Sequence, residues 1–157
     1  MRIGVISDTH GLLRSEAVKA LHGVDLIVHA GDVGKPEILV QLKTIAPVFA
    51  VRGNVDTDPW AKELPLTAVV EVDGASIYVV HRLQDLDLSP EGGGFNAVIS
   101  GHTHQAEQWE RNGLLYLNPG SAGPRRFRLP VTLALLEVDQ EPWKVEIVEL
   151  LPGNVED

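Results

Sequence analysis

The chain contains no cysteine and no apolar run long enough to cross a membrane as a helix. The missing cysteine excludes disulfide bonds and thiolate chemistry, so any metal has to be held by oxygen and nitrogen ligands. The first residues, 1–7, are too short and too strand-like a stretch for a signal peptide. We therefore expect a cytoplasmic protein without membrane association.

Basic residues are also scarce, since 13 Lys and Arg stand against 22 Asp and Glu and give a net charge of −9. This balance disfavours long nucleic acid as a partner, because binding to its backbone depends on basic side chains. A small phosphate ester in a metal-lined pocket remains compatible with it, because bound cations make a site locally positive. The length and the 44% hydrophobic content predict a single domain over residues 1–157.

The first third of the chain alternates between apolar strand-like runs and short helices. Strands are predicted at 2–7, 26–30 and 47–51, with helices at 15–22 and 36–45 between them. This β-α-β-α-β order predicts a parallel sheet with right-handed crossovers.

The remainder of the chain has the pattern of strands joined by hairpins, because Asp73-Gly74 and Asn112-Gly113 are strong hairpin turns. Seven strands are predicted here, at 67–72, 76–80, 97–100, 105–111, 114–117, 131–138 and 144–150. The two parts together predict an α/β fold, a layered sandwich of two mixed β-sheets flanked by helices.

Residues with metal-binding chemistry follow five of these strands. The seven candidates are Asp8, His10, Asp32, Asn54, His81, His102 and His104. We expect them to meet on one rim, because ligands of α/β sheets bind at the carboxyl ends of the strands. In an extended backbone, His102 and His104 would point to the same side. Seven protein groups match two divalent ions if one carboxylate bridges them and water completes the coordination.

Glycine stands just before three of the candidate ligands, at Gly31, Gly53 and Gly101. We expect these glycines to let the backbone turn sharply off each strand and approach a small substrate.

Several of these residues also have an ordinary structural interpretation. Asp8 could cap the following helix, and Asn54 could merely occupy a left-handed turn. His81 could be a buried histidine with satisfied hydrogen bonds. His29, inside an apolar strand, is expected to be structural or to support a ligand from behind. For Asp56 the sequence leaves open a proton donor, an acceptor for a ligand histidine and a plain turn residue.

Six segments of the chain stand in a distinctive order. They are Ser7-Asp8-Thr9-His10-Gly11, His29-Ala30-Gly31-Asp32, Arg52-Gly53-Asn54-Val55-Asp56, His81, Gly101-His102-Thr103-His104 and Asn118-Pro119-Gly120-Ser121. As a set they strongly resemble the calcineurin-like metallophosphoesterases, specifically the small bacterial and archaeal phosphodiesterase branch. The resemblance implies that one ion is held by Asp8, His10, Asp32 and His104. It implies that the other is held by Asp32, Asn54, His81 and His102, with Asp32 as the bridge.

The chain departs from this family in three places. Arg82 stands where a glycine is common, and Gly92-Gly93-Gly94 lies where relatives usually carry a helix. Val55 occupies the position at which a related branch supplies a histidine as general acid, which favours diesters or esters with good leaving groups. Arg82 and Arg125 are candidate substrate contacts, because a guanidinium matches the geometry of a phosphate.

The sequence thus predicts a metal-dependent phosphodiesterase that hydrolyses small phosphate diesters through a hydroxide activated by two metal ions. Asp32, Asn54 and His102 are the predicted catalytic residues. Mn²⁺ is the first choice, with Ni²⁺, Fe²⁺ and Zn²⁺ open. The alternatives are a phosphomonoesterase or nucleotide pyrophosphatase on the same site, and a protein-interaction scaffold, as in a eukaryotic retromer subunit that resembles this fold. A homo-oligomer is also left open.

Overall fold

A computed structural model describes residues 1–86 and 88–153 of the chain. The predicted domain end at residue 157 lies outside the described residues. Within them, no helix has the length and apolar character that crossing a bilayer requires.

The first sheet contains five strands from the two ends of the chain. They are β1 (Arg2–Ile6), β2 (Leu26–His29), β3 (Val48–Ala50), β9 (Val131–Glu137) and β10 (Lys144–Leu151). Their order is β10-β9-β1-β2-β3, with β1, β2 and β3 parallel and β9 antiparallel to β1. Two helices, α1 (Ser15–Ala20) and α2 (Pro36–Lys43), connect the parallel strands. The predicted β-α-β-α-β unit is therefore confirmed.

The second sheet is formed by the middle of the chain. Its strands are β4 (Thr67–Val72), β5 (Ala75–Val80), β6 (Ala97–Ile99), β7 (Ala106–Arg111) and β8 (Leu114–Pro119). They lie in the order β4-β5-β6-β8-β7, with β5, β6 and β8 parallel. The hairpins predicted at Asp73-Gly74 and Asn112-Gly113 join β4 to β5 and β7 to β8.

Several boundaries differ from the prediction. Helix α1 ends at Ala20 and α2 at Lys43, because Leu21 and Thr44 close the last turns as caps. Strand β8 runs two residues further than predicted, to Pro119, because its end pairs with the start of β7. A single sequence gives little information on the end of a strand such as β8, because hydrogen bonds to a partner strand decide it.

Apolar side chains divide the fold into layers. One cluster lies between the two sheets and includes Ile3, Val28 and Ile99. A second cluster packs both helices onto the outer face of the first sheet, through Leu21 and Leu42. The outer face of the second sheet is covered instead by a loop with a short 3₁₀ turn, Leu83–Asp85. The predicted sandwich of two mixed sheets is confirmed, and in the described part of the chain α1 and α2 lie on one side of it.

Candidate metal centre

The ends of five strands bring the predicted ligands to one rim of the sandwich. Two groups form there, each with its ligand atoms within 4.8 Å of one another. One group contains Asp8, His10 and His104, and the other contains Asp32, His81 and His102. The seventh candidate, Asn54, is exposed and lines a cavity with members of both groups. The structure thus brings six of the seven predicted ligands into two adjacent groups, with Asn54 beside them.

Asp8 uses its two carboxylate oxygens differently. Its Oδ2 atom accepts hydrogen bonds from the Ser7 hydroxyl at 2.8 Å and the His102 backbone N–H at 3.0 Å. Its Oδ1 atom is buried without a hydrogen-bond partner. That atom lies 3.5 Å from Nε2 of His104 and 3.7 Å from Nε2 of His10. One oxygen thus fixes the side chain, and the other faces three imidazole nitrogens, the third being Nε2 of His81 at 3.9 Å.

Asp32 repeats this division of roles. Its Oδ1 atom accepts the backbone N–H of Val55 at 3.0 Å. Its Oδ2 atom lies 3.2 Å from Nε2 of His81 and 3.6 Å from Nε2 of His10. Because His10 and His81 belong to different groups, this oxygen lies between the two groups. Asp32 Oδ2 therefore contacts a histidine of each group, as Asp8 Oδ1 also does.

The hydrogen bonds of His81 define which ring nitrogen faces the site. Its Nδ1 lies 2.7 Å from the carbonyl oxygen of Ala30, which can only accept, so Nδ1 carries the hydrogen. In the neutral ring, Nε2 then holds a lone pair that faces the Asp32 carboxylate. Two acceptors at this distance are compatible only if a proton or a metal ion lies between them.

The spacing of the donor atoms fits divalent cations. Nitrogen and oxygen ligands bind such ions at about 2.0–2.2 Å, which places neighbouring ligand atoms about 3.0–3.5 Å apart. The Nε2 atoms of His10 and His104 are 3.2 Å apart, and the contacts to Asp8 and Asp32 described above are similar. Nε2 of His81 is buried without a hydrogen-bond partner, as expected for a metal-directed nitrogen.

The electrostatics of the rim keep both carboxylates ionised. Burial alone would raise the pKa of Asp8, but contacts with His10 and His104 outweigh it and hold this pKa below its ordinary value. At Asp32, burial again raises the pKa, but the contact with His81 outweighs it. The pKa of Asp32 is therefore also lowered. In return, the Asp8 contact raises the pKa of His10. Two ionised carboxylates at one rim attract cations.

The backbone at the rim is left-handed at most of the candidate ligands. Five of them have φ between 47° and 78°: Asp8, His10, Asp32, His102 and His104. The predicted extended backbone at His102 and His104 is therefore wrong, and these side chains join different groups. Left-handed φ at a residue with a side chain costs about 1–2 kcal/mol, so the surrounding contacts must hold these residues in place.

The glycines before the ligands have two different roles. Gly31 turns the chain with φ of 102°, as predicted. Gly53 and Gly101 instead make room, because a Cβ at Gly53 would overlap Oδ1 of Asp32 and one at Gly101 would overlap Oγ of Ser7. The prediction of a sharp turn holds for the first of these glycines, and the other two are required for close packing.

Asp56 is a structural clamp. It is buried, and its carboxylate accepts the backbone N–H groups of Val33 at 3.1 Å, Gly34 at 3.0 Å and Gly53 at 2.9 Å. These bonds join the loop after β2 to the loop after β3, which carry Asp32 and Asn54. The carboxylate thus accepts backbone N–H groups and not a ligand histidine, a role that the sequence interpretations did not include.

Two cavities open at the rim. The first, of about 480 Å³, is lined by His10, Asp32, Asn54, Val55, His102, His104, Pro124, Arg125 and Arg126. The second, of about 370 Å³, contains Asn54, His81 and the predicted contact Arg82. Arg125 also donates to the carbonyl oxygen of Pro152 at 2.7 Å. Arg126 in the first cavity and Arg52 in the second were not predicted as substrate contacts. The sequence feature that could have indicated Arg126 is the basic run that it forms with Arg125 and Arg128.

These observations define a phosphoesterase-like metal rim, and comparison with known proteins identifies the family. Residues 1–141 match the calcineurin-like phosphoesterase superfamily domain, and the chain belongs to this family. The predicted resemblance is confirmed, and the protein is a metallophosphoesterase, an enzyme class that uses divalent metal ions.

Relatives cover nearly the whole chain. A protein of Methanothermobacter thermautotrophicus named probable metallophosphoesterase is 35% identical over 94% of this chain and 92% of its own length. A phosphodiesterase of Methanocaldococcus jannaschii is 25% identical over 95% of this chain and its entire length, 100%. The zinc complex of Vps29 from Entamoeba histolytica has the same fold, with a TM-score of 0.75 and 23% identity over 96% of this chain and 99% of Vps29.

Proposed function

We propose that this chain is a single-domain phosphodiesterase that hydrolyses small phosphate diesters with two divalent metal ions at the rim. The observation that carries the proposal is the position of Asp32 Oδ2, 3.2 Å from His81 and 3.6 Å from His10. One ion would be held by Asp8, His10, Asp32 and His104. The other would be held by Asp32, Asn54, His81 and His102.

The protein groups around the ions have separate tasks. When bound, the two ions supply positive charge that lowers the pKa of water and neutralises phosphoryl oxygens. Asp32 holds the two halves of the rim at a fixed separation. Asn54 and His102 both line the 480 Å³ cavity, where their side chains can hydrogen-bond the oxygens of a phosphate. Burial and nearby His81 lower the pKa of His102, so this ring is neutral at physiological pH.

The cavity walls favour diesters. Position 55, where a related branch supplies a general acid, holds an exposed valine. The other lining residues are candidate metal ligands, whose donor atoms the ions would occupy, a proline, and two arginines, which do not deprotonate in proteins. Esters with good leaving groups are therefore the expected substrates, and efficient monoester cleavage is not expected.

Mn²⁺ is the proposed metal, with Ni²⁺, Fe²⁺ and Zn²⁺ as alternatives. The donors are carboxylate oxygens, an amide oxygen and imidazole nitrogens, a set that suits all four ions. The chain has no cysteine, so softer thiolate coordination is excluded.

Reconstitution with single ions tests this proposal. Metal-free protein is given Mn²⁺, Ni²⁺, Fe²⁺ or Zn²⁺ and assayed on bis(4-nitrophenyl) phosphate and on 4-nitrophenyl phosphate. We expect turnover of the diester, fastest with Mn²⁺, and a lower kcat/KM for the monoester. A higher kcat/KM for the monoester would instead support the phosphomonoesterase alternative.

Two matched substitutions locate the activity. Asp32→Asn removes the bridging charge and is expected to abolish both diester turnover and binding of the second ion. Asp58→Asn makes the same chemical change at an exposed residue without a capping hydrogen bond and should leave both unchanged. Absence of turnover with every ion, or wild-type rates in Asp32→Asn, would reject the proposal. Absence of turnover would also favour the alternative of a protein-interaction scaffold.

A further inference from the structure

The second cavity at the rim, of about 370 Å³, is lined by His81 of the candidate metal centre. It meets the 480 Å³ cavity at Asn54, which lines both. A diester whose phosphorus lies at the rim can therefore extend one arm into each cavity. The contents of the second cavity decide which arm it accepts.

Arg52 is the unusual group in this cavity. Its side chain forms no hydrogen bond or ion pair with any residue in the described ranges 1–86 and 88–153, and its Nε atom is buried without an acceptor. A buried donor of a charged group left unpaired is costly, and an acceptor restores the lost interaction. The rest of this side chain is partly exposed and lines the cavity, so an acceptor for the guanidinium can enter from the cavity.

The second arginine of the cavity is already neutralised. Arg82 donates from Nε to Oδ2 of Asp85 at 2.7 Å and from Nη2 to Oδ1 of the same carboxylate at 3.2 Å. This pair adds no net charge to the cavity. Leu66, Thr67 and Val80 supply uncharged wall. Arg52 therefore leaves the cavity with one uncompensated positive charge.

We propose that this cavity is a second anion subsite, in which Arg52 binds a phosphate or carboxylate carried on one arm of the substrate. The preferred substrates are then phosphodiesters with an additional anionic group, and diesters with two neutral arms are poorer. Arginine suits this task because its planar group pairs with both anions in a bidentate manner. The inference rests on the proposed function in placing the reacting phosphate at the rim.

Paired substrates test the subsite. Three 4-nitrophenyl phosphodiesters are compared, with a propyl arm, a 3-phosphopropyl arm and a 2-carboxyethyl arm. We expect the wild-type kcat/KM to be about tenfold or more higher for an anionic arm than for the propyl arm. The phosphate and carboxylate arms show which of the two anions the subsite selects.

Three variants and one control variant test which residues produce the preference for an anionic arm. Arg52→Met should reduce the ratio of kcat/KM between anionic and propyl arms by about tenfold or more, and Arg52→Lys should retain part of it. Asp85→Asn frees Arg82 from its carboxylate and should raise the same ratio. Arg111→Met, on a surface residue paired with Glu91, is the control and should leave the ratio unchanged. Thermal unfolding of each variant shows that it folds.

A binding measurement separates failure of the subsite from failure of the proposed function. Calorimetric titration of the Mn²⁺-loaded protein compares propane-1,3-bisphosphonate with propylphosphonate, and neither requires turnover. We expect the bisphosphonate to bind about tenfold more tightly, and Arg52→Met to remove this difference. Equal kcat/KM and equal affinity for both kinds of arm would overturn the subsite while leaving the phosphodiesterase intact. Absence of turnover together with the expected affinities would reject the phosphodiesterase and retain the subsite.

Discussion

The Nε2 atom of His81 lies 3.2 Å from Oδ2 of Asp32, while the opposite ring nitrogen of His81 donates to the carbonyl oxygen of Ala30. This arrangement aims a lone pair and a carboxylate at the same point. A cation is needed at that point, either a proton in the metal-free protein or a metal ion in the active one.

Competition between protons and metal gives the first prediction. The Asp8 contact raises the pKa of His10 above its ordinary value of 6.5. At His81, burial lowers the pKa, but the Asp32 contact outweighs it and raises the pKa from 6.5. Metal must displace these protons, so its affinity should rise with pH through and above this range. Calorimetric titration of Mn²⁺ near pH 6 and near pH 8 measures this, and equal affinities would contradict it.

The space required at Gly101 gives the second prediction. Gly101→Ala places a Cβ against Oγ of Ser7 and 2.8 Å from Oδ2 of Asp8, which displaces the carboxylate that belongs to the rim. We expect the free energy of unfolding to fall by about 2–3 kcal/mol and diester turnover to fall to the detection limit. Urea unfolding and steady-state kinetics measure the two effects.

Gly92→Ala provides the matched control. Nothing lies within 4 Å of a Cβ at Gly92, and its φ is not positive. This variant should keep wild-type turnover and stability. A Gly101→Ala protein that behaved like Gly92→Ala would show that the close packing at the rim is not required.

The three hydrogen bonds to Asp56 give the third prediction. Asn in this position has one acceptor oxygen, so at least one of the backbone N–H groups of Val33, Gly34 and Gly53 loses its partner. We expect Asp56→Asn to lower the free energy of unfolding by about 3 kcal/mol. Urea denaturation measures the change. A loss of less than about 0.5 kcal/mol, the usual range for surface substitutions, would contradict the clamp.

The buried ring of His29 gives the fourth prediction. Its Nδ1 accepts the backbone N–H of Gly31 at 3.1 Å, so its Nε2 carries the hydrogen towards the Thr9 hydroxyl at 3.0 Å. Burial lowers the pKa of His29 from 6.5 to about 4. Between these two pH values the unfolded chain binds more protons than the folded protein. The contribution of His29 to the free energy of unfolding is therefore fully present above pH 6.5 and is lost as the pH falls towards 4.

His29→Gln isolates this contribution, because glutamine does not titrate. The metal-free wild type should lose about 3 kcal/mol more than this variant between the two pH values. Other groups titrate in both proteins, so the two proteins are compared by how steeply the free energy of unfolding changes with pH. If this change were identical in both, His29 would not be held neutral by burial.

The sequence predicted the parts of this protein that depend on local pattern. Alternating apolar runs and the Asp-Gly and Asn-Gly turns predicted both sheets and their hairpins. Metal-capable residues after successive strands predicted the rim, because strand direction alone places those ends together. His29 lies inside β2 and is buried, in line with its place in an apolar run of the sequence.

Features that depend on contacts between distant segments could not be predicted. The left-handed backbone at His102 follows from its N–H bond to Asp8, which lies 94 residues away. The need for glycine at position 101 comes from Ser7 on another strand end. The unpaired state of Arg52 is visible only once every neighbouring acceptor is known.

A crystal structure of the protein grown with Mn²⁺, with anomalous differences recorded at the manganese edge, would show directly whether two ions bind at the rim. We expect two anomalous peaks on either side of Oδ2 of Asp32, one contacting Asp8, His10 and His104 and the other contacting Asn54, His81 and His102. A single peak at the rim, or peaks that do not share Asp32, would contradict this expectation.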